Sequence, residues 1–195
     1  MSEEKVKYNT STIAEMSSGI ILAHFEKDSI ARETAYQSEA ELERQMIENL
    51  VSQGYERLIV KSNDELYANL KIQIEKLNNI SFSDEEWSRF LIEYLDAPND
   101  GMIEKTRKVQ ENHIHDFIFD DGHLKNIKII DKKNIHNNFL QVTNHIVGEG
   151  KNRNRYDVTI LVNGLPLVHV ELKKRGVNLH EAFNQIHRYS KESFN

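Results

Sequence analysis

Two acidic residues and a lysine near the end of the sequence are of the types that take part in phosphodiester hydrolysis. Asp157 begins one apolar run, and Glu171 and Lys173 close a second run. Hydrolysis of a phosphodiester uses carboxylates that hold a metal ion, a water activated beside that ion, and a cation that offsets charge in the transition state. Since these residues supply such groups, the stretch 156–189 is a candidate nuclease site.

The two apolar runs flank an Asn-Gly pair at positions 163–164, which is a strong turn signal for a β-hairpin. Glu171 and Lys173 lie two residues apart on the second strand, so their side chains are predicted to leave the same face of the sheet. The same alternation predicts His169 and Leu167 on that face.

The register of the hairpin decides whether Asp157 joins them. A regular two-residue turn pairs Val162 with Leu165 and sends the carboxylates of Asp157 and Glu171 to opposite sides of the sheet. A three-residue loop, or a bulge near either end of the hairpin, brings both carboxylates onto one face. Pro166 cannot donate a ladder hydrogen bond, which weakens regular pairing beside the turn. The sequence therefore predicts a three-residue loop or a bulge.

A helix is predicted to follow the hairpin, over residues 178–189. Asn178 and Glu181 form a capping pair at its start. Gln185 and Tyr189 continue from Glu181 at four-residue spacing, beside the apolar stripe of the helix. Their polar ends are expected next to the strand face that carries Glu171, where they could hydrogen-bond phosphate or the water of a metal. A purely structural row is the alternative.

An earlier helix could bring a further acid to the site. Ser38 and Glu41 form a capping box, and the helix that they start should end at Gly54. Glu39 and Glu43 share one row with apolar residues, so they extend a stripe that faces the core. The alternative is that acids near a helix start are favoured by the helix dipole alone.

The remaining elements follow from hydrophobic spacing and turn residues. Strands are predicted at 19–25 within an N-terminal arm of residues 1–34, and at 56–60, 113–119, 127–130 and 139–147. Helices are predicted at 64–77, 83–95 and 102–110, and together they form an inserted helical layer over 62–110. His113 and His115 alternate on one strand, but two ligands without a third at suitable spacing do not indicate a metal site.

Composition restricts the class of protein. The chain has 195 residues, 38% hydrophobic and 29% charged, which suits one globular domain with a sizeable core. No apolar run approaches the ~20 residues of a membrane span, and the first residues lack the pattern of a signal peptide. A cytoplasmic protein without a membrane partner is expected. The absence of Cys excludes disulfides, thiolate catalysis and Cys-bound zinc.

Charge is unevenly distributed along the chain. The net charge is -6, but the residues from Lys151 onward include eight basic and four acidic ones, a net +4, so residues 1–150 carry -10. A basic patch that contains a few carboxylates suits an enzyme that holds DNA phosphates around a metal, with a solvated mixed surface as the alternative. The residues assigned to DNA binding are Arg155, Lys174, Arg175 and Arg188.

Taken together, these motifs resemble the PD-(D/E)xK nuclease superfamily, and within it the N-terminal nuclease domain of the restriction and motor (R) subunit of type I restriction enzymes. The strongest parts are residues 155–167 and the E-x-K segment 171–176. Gln185 and Tyr189 fit the Q-x-x-x-Y of that group, in which such residues support the site. Tyr156 stands where the superfamily's name has Pro.

The resemblance implies a role for each residue of the candidate site. Asp157 and Glu171 would be ligands of Mg²⁺, and Lys173 would position water or stabilise transition-state charge. An acid of the first helix often joins the site in the superfamily, and Glu39 is the candidate ahead of Glu43. The implied fold is α/β of mixed α+β type: a PD-(D/E)xK restriction-endonuclease-like core, with a central mixed sheet flanked by helices and the helical layer inserted.

The resemblance also implies partners. The family's R subunit couples cleavage of double-stranded DNA to ATP-driven translocation, in a complex with modification and specificity subunits. This chain has no G-x-x-x-x-G-K-[ST] loop, so ATP is expected to act only through domains outside it. Residues 1–195 are therefore interpreted as a single endonuclease domain, a fragment of a longer protein, with its catalytic hairpin and helix at 155–191. A repair or resolvase-type nuclease without a motor, and a non-catalytic docking module, are the alternatives.

Overall fold

The structure of the protein is a computed structural model, and it describes residues 9–15, 21–26, 38–144, 157–174 and 177–192. The chain divides into two compact units, Met1–Gln37 and Ser38–Asn195. In the first unit, strand β1 (Asn9–Glu15) pairs antiparallel with β2 (Ile21–Glu26). The predicted strand at 19–25 corresponds to β2, whereas β1 is a polar segment that hydrophobic alternation does not reveal.

The second unit alternates helices and strands along the chain. Its described α-helices are α1 (Glu39–Ser52), α2 (Asn63–Asn78), α3 (Asp84–Phe90), α4 (Met102–Gln110) and α5 (Leu179–Glu192). Its described strands are β3 (Glu56–Arg57), β4 (Ile114–Ile118), β5 (Leu124–Lys128), β6 (Leu140–Asn144), β7 (Val158–Val162) and β8 (Leu165–Val170). None of the helices in the described ranges is long and apolar enough to cross a membrane.

Helix α1 begins where the sequence predicts. The Ser38 side chain caps it by accepting a hydrogen bond from the backbone N–H of Glu41 at 3.2 Å. Just beyond its end, Gly54 adopts a φ of +98°, a conformation that favours glycine. The Glu41 side chain pairs with Arg44 at 2.6 Å, so the predicted capping box forms only its Ser38 half.

The strands β3, β6, β7 and β8 form a mixed sheet in that order, with β3 parallel to β6 and the other neighbours antiparallel. Helix α1 covers one face, where Ile47 packs with the fully buried Val142 and Val158. Helix α2 covers the other face, where Asn69 and Gln141 exchange amide hydrogen bonds of 2.9 and 3.0 Å. The predicted mixed α/β class, with a mixed sheet flanked by helices, is therefore confirmed.

The helical layer packs on the β4–β5 hairpin through an aromatic core. Its aromatic members are Phe82, Trp87, Phe90, Tyr94, Phe117 and Phe119. The helix predicted over 83–95 does extend to Leu95, but its last turn is wider than an α-helix. Residues Leu91–Leu95 form a π turn in which the Asp96 N–H bonds the Leu91 carbonyl at 2.7 Å. Both Phe90 and Tyr94 remain buried in the core across this wider turn.

The turn between β7 and β8 is buried. Asn163 and Gly164 have φ values of +52° and +81°, the two-residue geometry that matches the twist of paired strands. The Asn163 side chain accepts a hydrogen bond from the Phe139 N–H at 2.8 Å and donates one to the Ile129 carbonyl at 2.9 Å. A Cβ at Gly164 would lie 2.7 Å from the Cα of Leu70, so the turn docks directly on the backbone of α2.

A bulge follows this turn in β8. Leu161 pairs with Pro166. Its neighbour Ile160 pairs with Val168, so Leu167 is an extra residue in β8. Of the two predicted irregularities, the bulge is confirmed and the three-residue loop is wrong, because the turn itself keeps two residues. The extra residue directly follows the proline, whose nitrogen cannot donate a ladder hydrogen bond.

We predict that Gly164→Ala destabilises the protein more than Gly122→Ala does. Both glycines have positive φ, a strain that costs an alanine about 1–3 kcal/mol. A Cβ at Gly122 meets open space, whereas a Cβ at Gly164 meets the backbone of Leu70. Urea denaturation should show an additional loss of at least about 1 kcal/mol in the free energy of unfolding for Gly164→Ala. Equal losses would contradict the docking of the turn on α2.

Candidate active site

The bulge brings Asp157 opposite Glu171. Beyond the bulge, Val158 pairs with Val170, so one further step along each strand sets Asp157 and Glu171 side by side. The backbone N–H of Leu172 donates a hydrogen bond to Asp157 Oδ2 at 2.8 Å and holds that carboxylate in place. The two carboxylates, which a regular ladder would send to opposite faces, therefore lie together at the end of the hairpin.

Glu171 is a buried carboxylate whose side chain is 3% exposed. Its Oε2 atom accepts no hydrogen bond from the residues that the structure describes. Burial raises the pKa of Glu171, and the charges of Asp157 and Glu39 raise it further. The hydrogen bond from Lys173 acts in the opposite direction. A bound cation would stabilise the ionised form of such a carboxylate.

Lys173 brings a positive charge to the site. Its Nζ donates a hydrogen bond to Glu171 Oε1 at 2.7 Å, and its side chain is 14% exposed. Burial alone would lower the pKa of Lys173, but the hydrogen bond to Glu171 and the charges of Glu39 and Asp157 raise it overall. Lys173 therefore stays protonated at neutral pH, and it can donate a hydrogen bond but cannot accept a proton.

Glu39 is the acid of α1 that reaches these residues. The backbone N–H of Lys174 lies 3.4 Å from Glu39 Oε1, a long contact. The charge of Glu39 also acts on the pKa of both members of the ion pair described above. Glu43, one turn later, accepts a hydrogen bond from Asn144 Nδ2 at 2.5 Å instead. We call Glu39, Asp157, Glu171 and Lys173 the hairpin-end cluster.

A neutral pair lies next to this cluster on the same sheet face. Thr159 pairs with His169 across the strands, and Thr159 Oγ1 lies 3.0 Å from His169 Nδ1. Burial lowers the pKa of His169 to about 4, so the ring is neutral at physiological pH. Strand alternation predicts His169 here, but its partner depends on the register and was missed. Leu167, predicted on this face, is instead the bulged residue and is 39% exposed.

The other predicted site residues are described in part. On α5, Gln185 is half-buried and Arg188 is exposed, and Lys174 offers its backbone N–H to Glu39. Arg155, Arg175 and the side chain of Tyr189 lie outside the described residues.

The hairpin-end cluster contains carboxylates that could hold a divalent cation. Within the described ranges, no group of three or more His, Asp and Glu side chains is arranged to hold a metal by itself. Mg²⁺ in proteins is commonly held by one or two carboxylates and completes its shell with water and substrate phosphate. Asp157 and Glu171 supply such a pair, and the Glu171 oxygen without a donor is suited to a cation.

The sequence is similar to known proteins over most of its length. A family profile described as type I restriction enzyme R protein N terminus matches residues 36–195. The type I restriction enzyme EcoprrI endonuclease subunit of Escherichia coli is 52% identical over 187 residues, which are 95% of this chain and 59% of that protein. The type I restriction enzyme SauMW2ORF169P endonuclease subunit of Staphylococcus aureus (strain MW2) is 38% identical over 165 residues, 82% of this chain and 17% of that protein. The chain thus spans only part of these relatives.

We predict that His169 makes folding less favourable as the pH falls from about 6.5 to about 4. The ring stays neutral in the folded protein down to about 4, but in the unfolded chain it takes up a proton below about 6.5, so acid favours unfolding in this window. His169→Gln should remove this contribution. The difference between the variant and the wild type in the free energy of unfolding should change by up to about 3 kcal/mol across the window, less where solvent screens the ring.

The measurement is urea denaturation of both proteins at several pH values from 7 to 4. Other acids that titrate in this range are common to the two proteins, so only their difference reports on His169. A difference that stays constant with pH would contradict the prediction.

Proposed function

The chain belongs to the type I restriction enzyme R protein N-terminal family, and on that premise we propose that it is the DNA-cleaving domain of a type I restriction enzyme, with a PD-(D/E)xK-like core. The proposed reaction is Mg²⁺-dependent hydrolysis of phosphodiester bonds in double-stranded DNA. The observation that carries the proposal is the pair Asp157 and Glu171, aligned by the bulge with Lys173 beside them. These are the residues that the sequence motifs select for catalysis.

In the proposed site, Asp157 and Glu171 would hold the metal. Bound Mg²⁺ supplies a water of lowered pKa and a charge that offsets that of the phosphate. The Leu172 N–H orients Asp157 through its 2.8 Å hydrogen bond, and burial keeps Glu171 fixed and poorly hydrated. Glu39 is proposed as a third acid, since its charge already acts on Glu171.

Lys173 stabilises the charge that develops on the phosphate. Its raised pKa keeps the amine protonated, so its role is that of a cationic hydrogen-bond donor and not of a general base. Gln185 and Tyr189 on α5 are proposed as supporting residues. The basic residues proposed to contact the DNA backbone are Arg155, Lys174, Arg175 and Arg188.

We propose that this domain works within a larger complex. The relatives from Escherichia coli and Staphylococcus aureus are named endonuclease subunits, and the chain spans 59% and 17% of their lengths. The sequence has no nucleotide-binding G-x-x-x-x-G-K-[ST] loop, so ATP would act through domains outside this chain. Modification and specificity subunits are the proposed partners, and the cytoplasm is the proposed compartment. Choice of the DNA target would then belong to the specificity subunit.

We predict that Asp157→Ala and Lys173→Ala each lower DNA cleavage by at least about 10²-fold in the assembled complex supplied with ATP. ATP hydrolysis should continue, because neither residue belongs to a nucleotide site in this proposal. Cleavage is measured on circular DNA that carries the recognition sequence. The matched control is Glu48→Gln, which changes a carboxylate bound to Arg44 on the exposed side of α1 and should cleave like the wild type. Unchanged cleavage by both site variants would favour the docking module over the nuclease.

A further inference from the structure

We propose that Asn144 is a positioning residue for the metal site. Asn144, oriented by Arg57, holds Glu43 of α1 by a hydrogen bond, and this contact fixes Glu39, one helical turn away, at the hairpin-end cluster. The inference rests on the proposed metal-dependent function and adds to it the part of the fold that delivers Glu39. None of Asn144, Arg57 and Glu43 contacts the metal in this proposal; they act through the placement of α1.

The first contact joins β6 to α1. Asn144 is the last residue of β6, and its Nδ2 donates to Glu43 Oε1 at 2.5 Å. Both side chains are half-buried. The two residues are 101 positions apart in the chain. Their hydrogen bond therefore fixes the position of the helix, along its own axis, relative to the end of β6. A hydrogen bond to a carboxylate in a partly buried place is stronger than one between neutral groups.

The second contact fixes the orientation of the Asn144 amide. Arg57 of β3 donates to Asn144 Oδ1, and it lies 3.4 Å from the Val142 carbonyl. Because the amide oxygen is taken by the guanidinium, the amide nitrogen must face Glu43. Partial burial lowers the pKa of Arg57 and the carboxylate of Glu43 raises it, so the two charges lie within electrostatic range. Arg57 thereby offsets part of the negative charge of α1.

The geometry of α1 links the position of Glu43 to that of Glu39. Glu39 and Glu43 are four residues apart and lie on one row of α1, about 6 Å apart along the axis. Fixing Glu43 therefore fixes the height and rotation of the turn that carries Glu39. Glu39 is itself exposed, and its contact to the Lys174 N–H is long at 3.4 Å, so its placement depends on the helix.

The apolar face of α1 already docks the helix through Ile47, Met46 and Leu50. These residues lie farther along the helix than Glu43 and hold its middle and end. The contact of Glu43 with Asn144 lies toward the start of the helix, nearer the cluster. Loss of this contact should therefore affect metal binding more than it affects the stability of the fold.

The test is calorimetric titration of Mn²⁺ into the full chain without nucleotide or DNA, together with the thermal midpoint of each metal-free variant. Glu39→Gln and Glu43→Ala should both bind Mn²⁺ at least about 10-fold more weakly than the wild type. Glu43→Gln keeps an oxygen that accepts from Asn144 and should bind within about 2-fold of the wild type. Glu48→Ala, on the exposed side of the same helix, is the control and should bind normally.

Asn144→Asp provides a second route if Glu43→Ala fails to fold. It keeps the shape and the acceptor for Arg57 but removes the donor to Glu43, so it too should weaken Mn²⁺ binding. Normal binding by Glu43→Ala or by Asn144→Asp would overturn the inference while the nuclease proposal stands. If Glu43→Gln bound Mn²⁺ as weakly as Glu43→Ala does, the inference would also be overturned, because the charge of Glu43 would then act directly on the metal. No Mn²⁺ binding by the wild type would overturn the proposed function and this inference with it.

Discussion

Negative charge gathered around one buried carboxylate is the constraint on which the rest of the structure depends: the Glu171 side chain is 3% exposed, and the charges of Asp157 and of the exposed Glu39 both act on its pKa. Glu39 is the first residue of α1, Asp157 directly precedes β7 and Glu171 directly follows β8. Like charges repel more strongly where water is scarce. Lys173 offsets part of that charge. Because the cluster does not hold itself together, its three supporting elements must be fixed by contacts elsewhere in the molecule.

Buried amides supply much of that fixation. Asn163 ties the hairpin turn to the loop before β6 and to the end of β5, while Asn69 and Gln141 tie α2 to the sheet. These contacts are directional, and a buried amide that loses its partner leaves polar groups unsatisfied. Gly164 also packs so closely on the backbone of Leu70 that a Cβ would clash there. The hairpin is thus anchored at its closed end, and the hairpin-end cluster lies at its open end.

Local signals in the sequence predict much of this arrangement. Ser38 caps α1 as expected, and the Asn-Gly pair forms the turn. The bulge is predicted from the chemistry proposed for the site, which requires Asp157 and Glu171 to meet, whereas Pro166 alone does not specify it. The contact between Asn144 and Glu43 could not be predicted, because its members are 101 residues apart and neither periodicity nor capping relates them. Burial of the turn could not be predicted either, because it also depends on tertiary packing.

Because of the bulge, the number of residues between Asp157 and Glu171 does not by itself determine whether the two carboxylates lie opposite each other. Six residues lie between Gly164 and Glu171, and five lie between Asp157 and Asn163; the bulge absorbs the difference. In a relative that lacks the bulged residue of β8, the acid and the glutamate would still lie opposite each other, in a regular ladder. The same would hold for a relative that keeps this residue and has one extra residue in β7. A search that fixes the number of residues between the acid and the E-x-K motif would miss such relatives, whereas counting strand pairs outward from the turn would find them.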